Sequence, residues 1–172
     1  MELWDIYDAD RNRTGRTIQR GEPFADGEYQ LVVHVCIFNL KGEMLIQQRQ
    51  STKCEWPDMW NITSGGGVLA GENSQEAAMR ETWEELGIHI DLNGVRPRYT
   101  IHFEHGFDDI YVVNCNLDIG DIHMQSEEVQ NVCWASKEKV LKMIRDKEFI
   151  PFYPSFIEYL FESRKDYGFL EE

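Results

Sequence analysis

Basic residues are scarce in this sequence. Its 172 residues include 17 Lys and Arg against 31 Asp and Glu, which gives a formal net charge of −14. A broad nucleic-acid-binding surface needs Lys and Arg to neutralise phosphates, so nucleic acid is not an expected partner. The same charge argues against docking on an anionic membrane, and no segment approaches the ~20 apolar residues of a membrane span. A chain this acidic can handle phosphate only if another group supplies positive charge.

Cysteine is also scarce, and the four residues form no CxxC pair: Cys36, Cys54, Cys115 and Cys133. Their spacing does not require a disulfide, so we expect a reduced, cytoplasmic protein. The N-terminus has neither the basic start nor the apolar run of a signal peptide. Repeats and Pro/Ser-rich linkers are lacking as well, and the length suits one domain over residues 1–172.

Strand and helix patterns alternate irregularly along the chain. They predict an N-terminal hairpin (about 1–27, with strands at 3–7 and 14–19), antiparallel strands at 31–38 and 44–48, and a helix from Asn73 or Ser74 to Gly87. Strands at 95–103 and 110–116, joined by a turn at 106–109, and C-terminal helices at 136–147 and 153–164 complete the prediction. Because there is no regular βαβ alternation, we expect an α+β fold with a mixed sheet flanked by helices.

The helix before Gly87 concentrates acidic residues. Each helical residue turns the chain by about 100°, so Glu81, Glu84 and Glu85 share one face, while Ala78, Thr82 and Leu86 form a separate core-facing stripe. Like charges at this spacing cost about 0.2–0.5 kcal/mol per pair, and the helix dipole disfavours acids near a C-terminus. A hard cation such as Mg²⁺ or Mn²⁺ would offset this cost; a solvated acidic face is the alternative.

Upstream residues favour the cation. Gly66, Glu72, Arg80-Glu81, Glu84-Glu85 and Gly87-Ile88 reproduce the Nudix box, G-x5-E-x7-R-E-U-x-E-E-x-G-U, over residues 66–88. Thr82 is the one departure, since the family usually has an aliphatic residue there. The sequence therefore resembles the Nudix hydrolases.

This resemblance implies an α/β/α sandwich and an Mg²⁺- or Mn²⁺-dependent hydrolase. Its substrate would be a small molecule with a pyrophosphate linkage, in a nucleoside diphosphate or a nucleoside diphosphate joined to another moiety. Glu81, Glu84, Glu85 and the Gly65 carbonyl would be metal ligands, with one glutamate close to the attacking water. Arg80 would hold the glutamates by ion pairing. Three further residues would be structural: Glu72, which braces the loop, Gly66 and Gly87.

Weaker signals lie outside the box. Glu128 corresponds to an acid that joins the metal site or acts as a base in relatives, although Glu127 competes for that role. Arg49 could clamp a phosphate, or could simply be a surface residue. Trp60 could stack on a base, but loop aromatics more often cover the core. His34 lies in a predicted strand, where a satisfied core histidine is the more common case.

The N-terminal hairpin, the run from Phe38 to Gly42 and the Trp56–Trp60 loop resemble the isopentenyl-diphosphate isomerase branch. The cysteine and histidine that this enzyme needs in the glycine loop correspond to Gly65 and Gly67, and its strand-start histidine to Gln30. Isomerase chemistry is the rival reading, but its acid–base residues are missing here while Glu81, Glu84 and Glu85 are all present, so we expect hydrolase chemistry on an isomerase-like sequence. A non-catalytic nucleotide-binding module is a third reading. The chain would be a monomer or a homodimer.

Overall fold

The computed structural model describes residues 2–168. Met1 of the predicted hairpin and the last four residues of the predicted domain lie outside the described residues. The strands are β1 Leu3–Tyr7, β2 Arg13–Gln19, β3 Gln30–Phe38, β4 Met44–Arg49, β5 Trp60–Asn61, β6 Ser64–Gly67, β7 Tyr99–Phe103, β8 Gly106–Asn114 and β9 Val129–Ala135. The helices are α1 Ser74–Leu86, α2 Lys137–Arg145 and α3 Pro154–Glu162, with a 3-10 turn at Ile119–Asp121. Within the described part of the chain, no helix is long and apolar enough to cross a membrane.

Strand β3 is the centre of a mixed seven-stranded sheet with the order β5-β4-β3-β8-β7. It pairs in parallel with β8 and antiparallel with β6 and β4, while β9 pairs with β4. Successive side chains on a strand point to opposite faces, so β3 supplies two cores. Val33, Val35 and Ile37 belong to the cluster that includes α1, and Cys36 and Phe38 to the cluster that includes α2 and α3.

Helix α1 therefore covers one face of the sheet and α2 and α3 the other. Ala77, Ala78 and Leu86 of α1 are fully buried, as are Val140 of α2 and Leu160 of α3. The result is a three-layer α/β/α arrangement, and the predicted α+β class with a mixed sheet is confirmed.

The hairpin β1–β2 forms its own two-stranded sheet and is attached beside β3. Backbone hydrogen bonds join Tyr7 and Tyr29 in both directions, at 2.8 and 3.0 Å. Arg11, in the turn of the hairpin, donates to both carboxylate oxygens of the buried Asp109 on β8, at 3.0 and 2.7 Å. A buried carboxylate needs such donors, so this contact fixes the hairpin to the sheet.

The predicted local structure differs from the observed one in three places. The strand expected from residue 95 begins only at Tyr99. A turn was expected at residues 106–109, but β8 begins at Gly106 and the turn comprises residues 104–105. Gly106 lies inside the sheet, close to its neighbours: a Cβ at this position would meet Gln30 O at 2.8 Å and the Phe103 ring. Glycine therefore suits this position in the strand. Strand β9 was not predicted at all, although it pairs with β4 over most of its length.

Candidate active site

Helix α1 is fixed at both ends by the residues that predicted it. The Asn73 side chain accepts from the Glu76 amide and the Glu76 side chain accepts from the Asn73 amide, which is a complete capping box. Gly87 ends the helix in the left-handed conformation, with φ of 65°. The helix therefore begins and ends at defined residues, and its side chains have a fixed rotation relative to the sheet.

Thr82 is buried at the interface between α1 and β6. Its hydroxyl donates to the Ala78 carbonyl at 2.8 Å, and it lies 2.8 Å from the Ser64 hydroxyl. The departure from an aliphatic residue is thus matched by a polar partner on the facing strand, and the core stripe of Ala78, Thr82 and Leu86 is confirmed as buried.

Arg80 connects three of the carboxylates that the sequence singled out. Its Nε and Nη2 donate to the two oxygens of Glu72 at 2.8 and 2.9 Å. Its Nη1 donates to Glu81 at 2.7 Å and to Glu84 at 3.0 Å, and Nη2 also reaches the Gly67 carbonyl at 3.1 Å. Burial acts to raise the pKa of Glu72, but the hydrogen bonds from Arg80 and the Leu69 amide outweigh it, so this pKa is lowered. The guanidinium therefore fixes the spacing between the glycine strand β6 and the acidic face of α1.

Glu81 packs directly on the backbone of β6. A Cβ added to Gly66 would lie 2.5 Å from Glu81 Cδ and 2.8 Å from Glu81 Oε2, so a side chain there would displace the carboxylate from the position in which Arg80 holds it. Burial raises the pKa of Glu81, which Arg80 opposes and the charge of Glu84 reinforces. Glu84 is the accessible member of the group, with half of its side chain exposed.

Glu85 is the most deeply placed carboxylate and is 6% exposed. The Gln47 side chain of β4 donates to it at 2.7 Å. Burial, followed by repulsion from Glu81, raises the pKa of Glu85 to about 8; Gln47 and the Gly65 amide oppose the shift, and Glu128 adds to it. Such a group is costly to ionise unless a cation lies beside it.

The structure also separates Glu128 from its neighbour. Glu128 forms an ion pair with Lys53 of the loop after β4, and its charge acts on Glu85. Glu127 is exposed and accepts a hydrogen bond from Ser126 at 3.1 Å. Of the two acids, Glu128 is therefore the one on the side of the α1 carboxylates.

The two predicted substrate-binding residues make contacts within the protein. Arg49 Nε donates to the Glu55 carbonyl at 3.1 Å, within the loop that follows β4. Trp60 packs against the core cluster of α2 and α3, and its backbone is paired with Glu148 and Ile150. The position of Trp60 agrees with core packing, the alternative given for it, and substrate binding by Arg49 and Trp60 stays a prediction.

These carboxylates suit a divalent cation by their chemistry, since Mg²⁺ and Mn²⁺ prefer oxygen ligands. Among residues 2–168, however, no three His, Cys, Asp or Glu side chains are arranged to hold a metal ion. Arg80, Lys53 and Gln47 engage the carboxylates instead. Glu81 and the buried Glu85, both with raised pKa values, are the pair that a cation would stabilise most.

Sequence reasoning missed the residues that support this group. Gln47 was read as part of an ordinary strand and Lys53 as part of an irregular loop. The only local sign of these supporting residues was that two polar residues, Gln47 and Gln48, end an otherwise apolar strand. Gln47 and Lys53 contact residues 38 and 75 positions away, so their partners could not be read from the local sequence.

Comparison with known proteins supports the same assignment. The NUDIX domain model matches residues 28–158. A protein of Listeria monocytogenes named an uncharacterized Nudix hydrolase is 46% identical over 161 residues, which cover 94% of each chain. A crystal structure from Deinococcus radiodurans shares the fold, with a TM-score of 0.74 and 21% identity over 91% of this chain and 98% of that one. The MutT protein structure from Methanosarcina mazei Go1 has a TM-score of 0.61 and 26% identity, over 80% of this chain and 96% of that one. The predicted resemblance is thereby confirmed: the chain belongs to the Nudix family and is a Nudix-type hydrolase.

Proposed function

We propose that the protein is an Mg²⁺- or Mn²⁺-dependent hydrolase of a pyrophosphate linkage, in a nucleoside diphosphate or a nucleoside diphosphate joined to another moiety. The observation that carries this proposal is the Arg80 clamp. One guanidinium binds Glu72, Glu81 and Glu84 together beside a strand of three glycines. A solvated acidic face would need no such clamp, and it would not include a carboxylate as buried as Glu85.

The residues that would hold the cation are Glu81, Glu84, Glu85, the Gly65 carbonyl and Glu128. A bound divalent cation would screen the phosphate charge, lower the pKa of the attacking water and stabilise the charge that develops at phosphorus. Arg80 is a positioning residue, since it fixes the directions of Glu81 and Glu84. Glu128 would serve as a ligand or as the base that accepts the proton of the water.

The glycines of β6 also argue against isomerase chemistry. A Cβ on Gly65 would lie 3.0 Å from His34 Cγ, and one on Gly67 would lie 2.6 Å from Trp4 Nε1. The cysteine and histidine of an isomerase would collide with these two rings, so both rings would have to move. A purely binding module is disfavoured because every fixed position of the box is present.

The wider setting is proposed on the same basis. All four cysteines are free thiols, which suits a reducing cytoplasmic location. The backbone bonds between Tyr7 and Tyr29 tie the hairpin to β3, which supports one domain over residues 1–172. We propose a small-molecule phosphoanhydride as the partner, with no nucleic acid and no membrane, for a monomer or homodimer.

The test is a screen of nucleoside di- and triphosphates, nucleotide sugars and dinucleotides with Mg²⁺ or Mn²⁺. The proposal expects turnover of at least one class, and a loss of several orders of magnitude in Glu84→Gln. Isomerisation of isopentenyl diphosphate would favour the rival enzyme. Specific binding without turnover above the Glu84→Gln control would favour the binding module.

A further inference from the structure

His34 and Asp108 form a pair that the catalytic group does not use. His34 Nδ1 lies 2.9 Å from both carboxylate oxygens of Asp108. The residues are 74 positions apart and meet because β3 and β8 pair in parallel. A carboxylate only accepts hydrogen bonds, so Nδ1 carries the hydrogen and the ring is fixed in one orientation.

The other ring nitrogen of His34 is accessible. His34 Nε2 has no hydrogen-bond partner among residues 2–168 and is not one of the buried unpaired nitrogens found there. The prediction of a satisfied core histidine therefore holds for Nδ1 alone. A half-buried imidazole that is oriented by a carboxylate presents its second nitrogen in a fixed direction, as a donor or acceptor for a neighbouring group.

The imidazole lies against the glycine strand. The ring contacts the place where a Cβ of Gly65 would be, with Cγ 3.0 Å from it. Because directions alternate along β6, Gly66 faces Glu81 on the α1 side while Gly65 faces His34 on the opposite side. One strand without side chains thus separates the accessible ring from the proposed catalytic carboxylates.

Trp4 covers this face of the sheet at Gly67, whereas the β8 and β7 side of His34 is partly exposed. We call Val32, His34, Ile101, Phe103 and Asp108 the open sheet face. Register pairs place Gly67, Val32, Asp108 and Ile101 in one row across β6, β3, β8 and β7. Three strand spacings make this row about 14 Å long. Ile101 and Phe103, at its far end, are 40% and 41% exposed.

The order of groups along this row matches a nucleotide. The glycine strand adjoins the phosphate site, the His34–Asp108 pair follows, and apolar side chains come last; a nucleotide presents phosphate, then sugar, then a flat ring. The charge of Asp108 disfavours a second anion beside His34. A sugar hydroxyl suits Nε2 because a hydroxyl both donates and accepts.

We propose that His34, oriented by Asp108, binds a ribose hydroxyl of the substrate, and that the open sheet face holds the nucleoside half. This inference rests on the proposed function and extends it: the substrate is a ribonucleotide, recognised through its sugar. His34 is a substrate-binding residue, and Asp108 is a positioning residue.

The experiment compares kcat/KM for the four common ribonucleoside diphosphates with their 2′-deoxy and 3′-deoxy forms. One hydrogen bond predicts that the wild type prefers the ribose form over one deoxy form by about fivefold to tenfold. The ratio should fall to near one in His34→Leu and in Asp108→Ala. It should be partly kept in His34→Gln, whose amide reaches the position of Nε2. His102→Leu, on the other face of β7, should keep the full ratio.

Binding by calorimetry, with the same nucleotides on the Glu84→Gln protein, provides a readout without turnover. A wild type indifferent to the sugar, or a His34→Leu protein with an unchanged ratio, would overturn this inference and leave the proposed function standing. Neither hydrolysis nor binding of any nucleotide would overturn both. If His34→Leu does not fold, as judged by circular dichroism, His34→Gln and Asp108→Ala decide the question.

Discussion

Replacing Glu85 by glutamine should make the metal-free protein more stable at neutral pH. The burial of Glu85 and its repulsion by Glu81 raise its pKa to about 8 from an ordinary value of 4.5. Between these values the unfolded chain has lost a proton that the folded chain keeps, so the free energy of unfolding falls by about 1.4 kcal/mol per pH unit. The stability that protonated Glu85 contributes is fully present below its pKa in the unfolded chain. It is lost as the pH rises through its pKa in the folded protein. Glutamine has nearly the same shape and does not titrate.

The quantity to measure is the difference in unfolding free energy between Glu85→Gln and the wild type, from urea denaturation in EDTA. Integrated from roughly pH 5 to roughly pH 7.5, the difference should grow by about 3 kcal/mol in favour of the variant. Titrating groups that do not interact with Glu85 are common to both proteins and cancel, whereas Glu81 and Glu128 are coupled to it, so about 3 kcal/mol is the order of magnitude of the difference.

Added Mg²⁺ should reverse the order of stability, so that the wild type becomes more stable than Glu85→Gln. Ionised Glu85 gains a cation, so the wild type is stabilised by Mg²⁺ more strongly as the pH rises, while the variant responds weakly. A difference that does not change with pH in EDTA, or an equal Mg²⁺ response of both proteins, would refute the reasoning about Glu85.

Three further substitutions test the packing of the site. Arg80→Lys keeps the charge but loses the planar fork, so kcat/KM should fall at least tenfold and the free energy of unfolding by about 1–3 kcal/mol. Equal values for the variant and the wild type would show that Arg80 does not position the glutamates. Gly66→Ala drives a Cβ into the Glu81 carboxylate and should cost about 1–3 kcal/mol, whereas Gly120→Ala, which meets only a side-chain oxygen at 3.4 Å, should be tolerated. Thr82→Val leaves the buried Ser64 hydroxyl without its partner and should cost about 1–3 kcal/mol, part of which Ser64→Ala should recover in the double variant; additive effects in urea denaturation would contradict this.

The parts of the fold that local sequence determines were predictable. Helix α1 was placed within a residue at each end because its capping box and its C-terminal glycine are local signals. The β1–β2 hairpin was placed equally well.

Features that depend on distant partners were not predictable. Asp108 and Asp109 have the composition of a turn, yet both lie in β8. Their partners are His34 and Arg11, which are 74 and 98 positions away, so no local pattern could reveal these pairs. The polar Thr82 looked like a mismatch until Ser64, on a different element, was seen to pair with it. Motif spacing therefore identified the carboxylates, but only the tertiary structure showed what supports them.

The most direct measurement of the central claim is hydrolysis of nucleoside diphosphates and their conjugates by the wild type and by Glu84→Gln, with and without Mg²⁺ or Mn²⁺. Glu84 is half exposed, so the substitution should leave the fold intact. The account predicts metal-dependent release of phosphate or of a nucleoside monophosphate by the wild type, and a loss of several orders of magnitude in the variant. Equal rates in the two folded proteins, or turnover that is unaffected by EDTA, would contradict it.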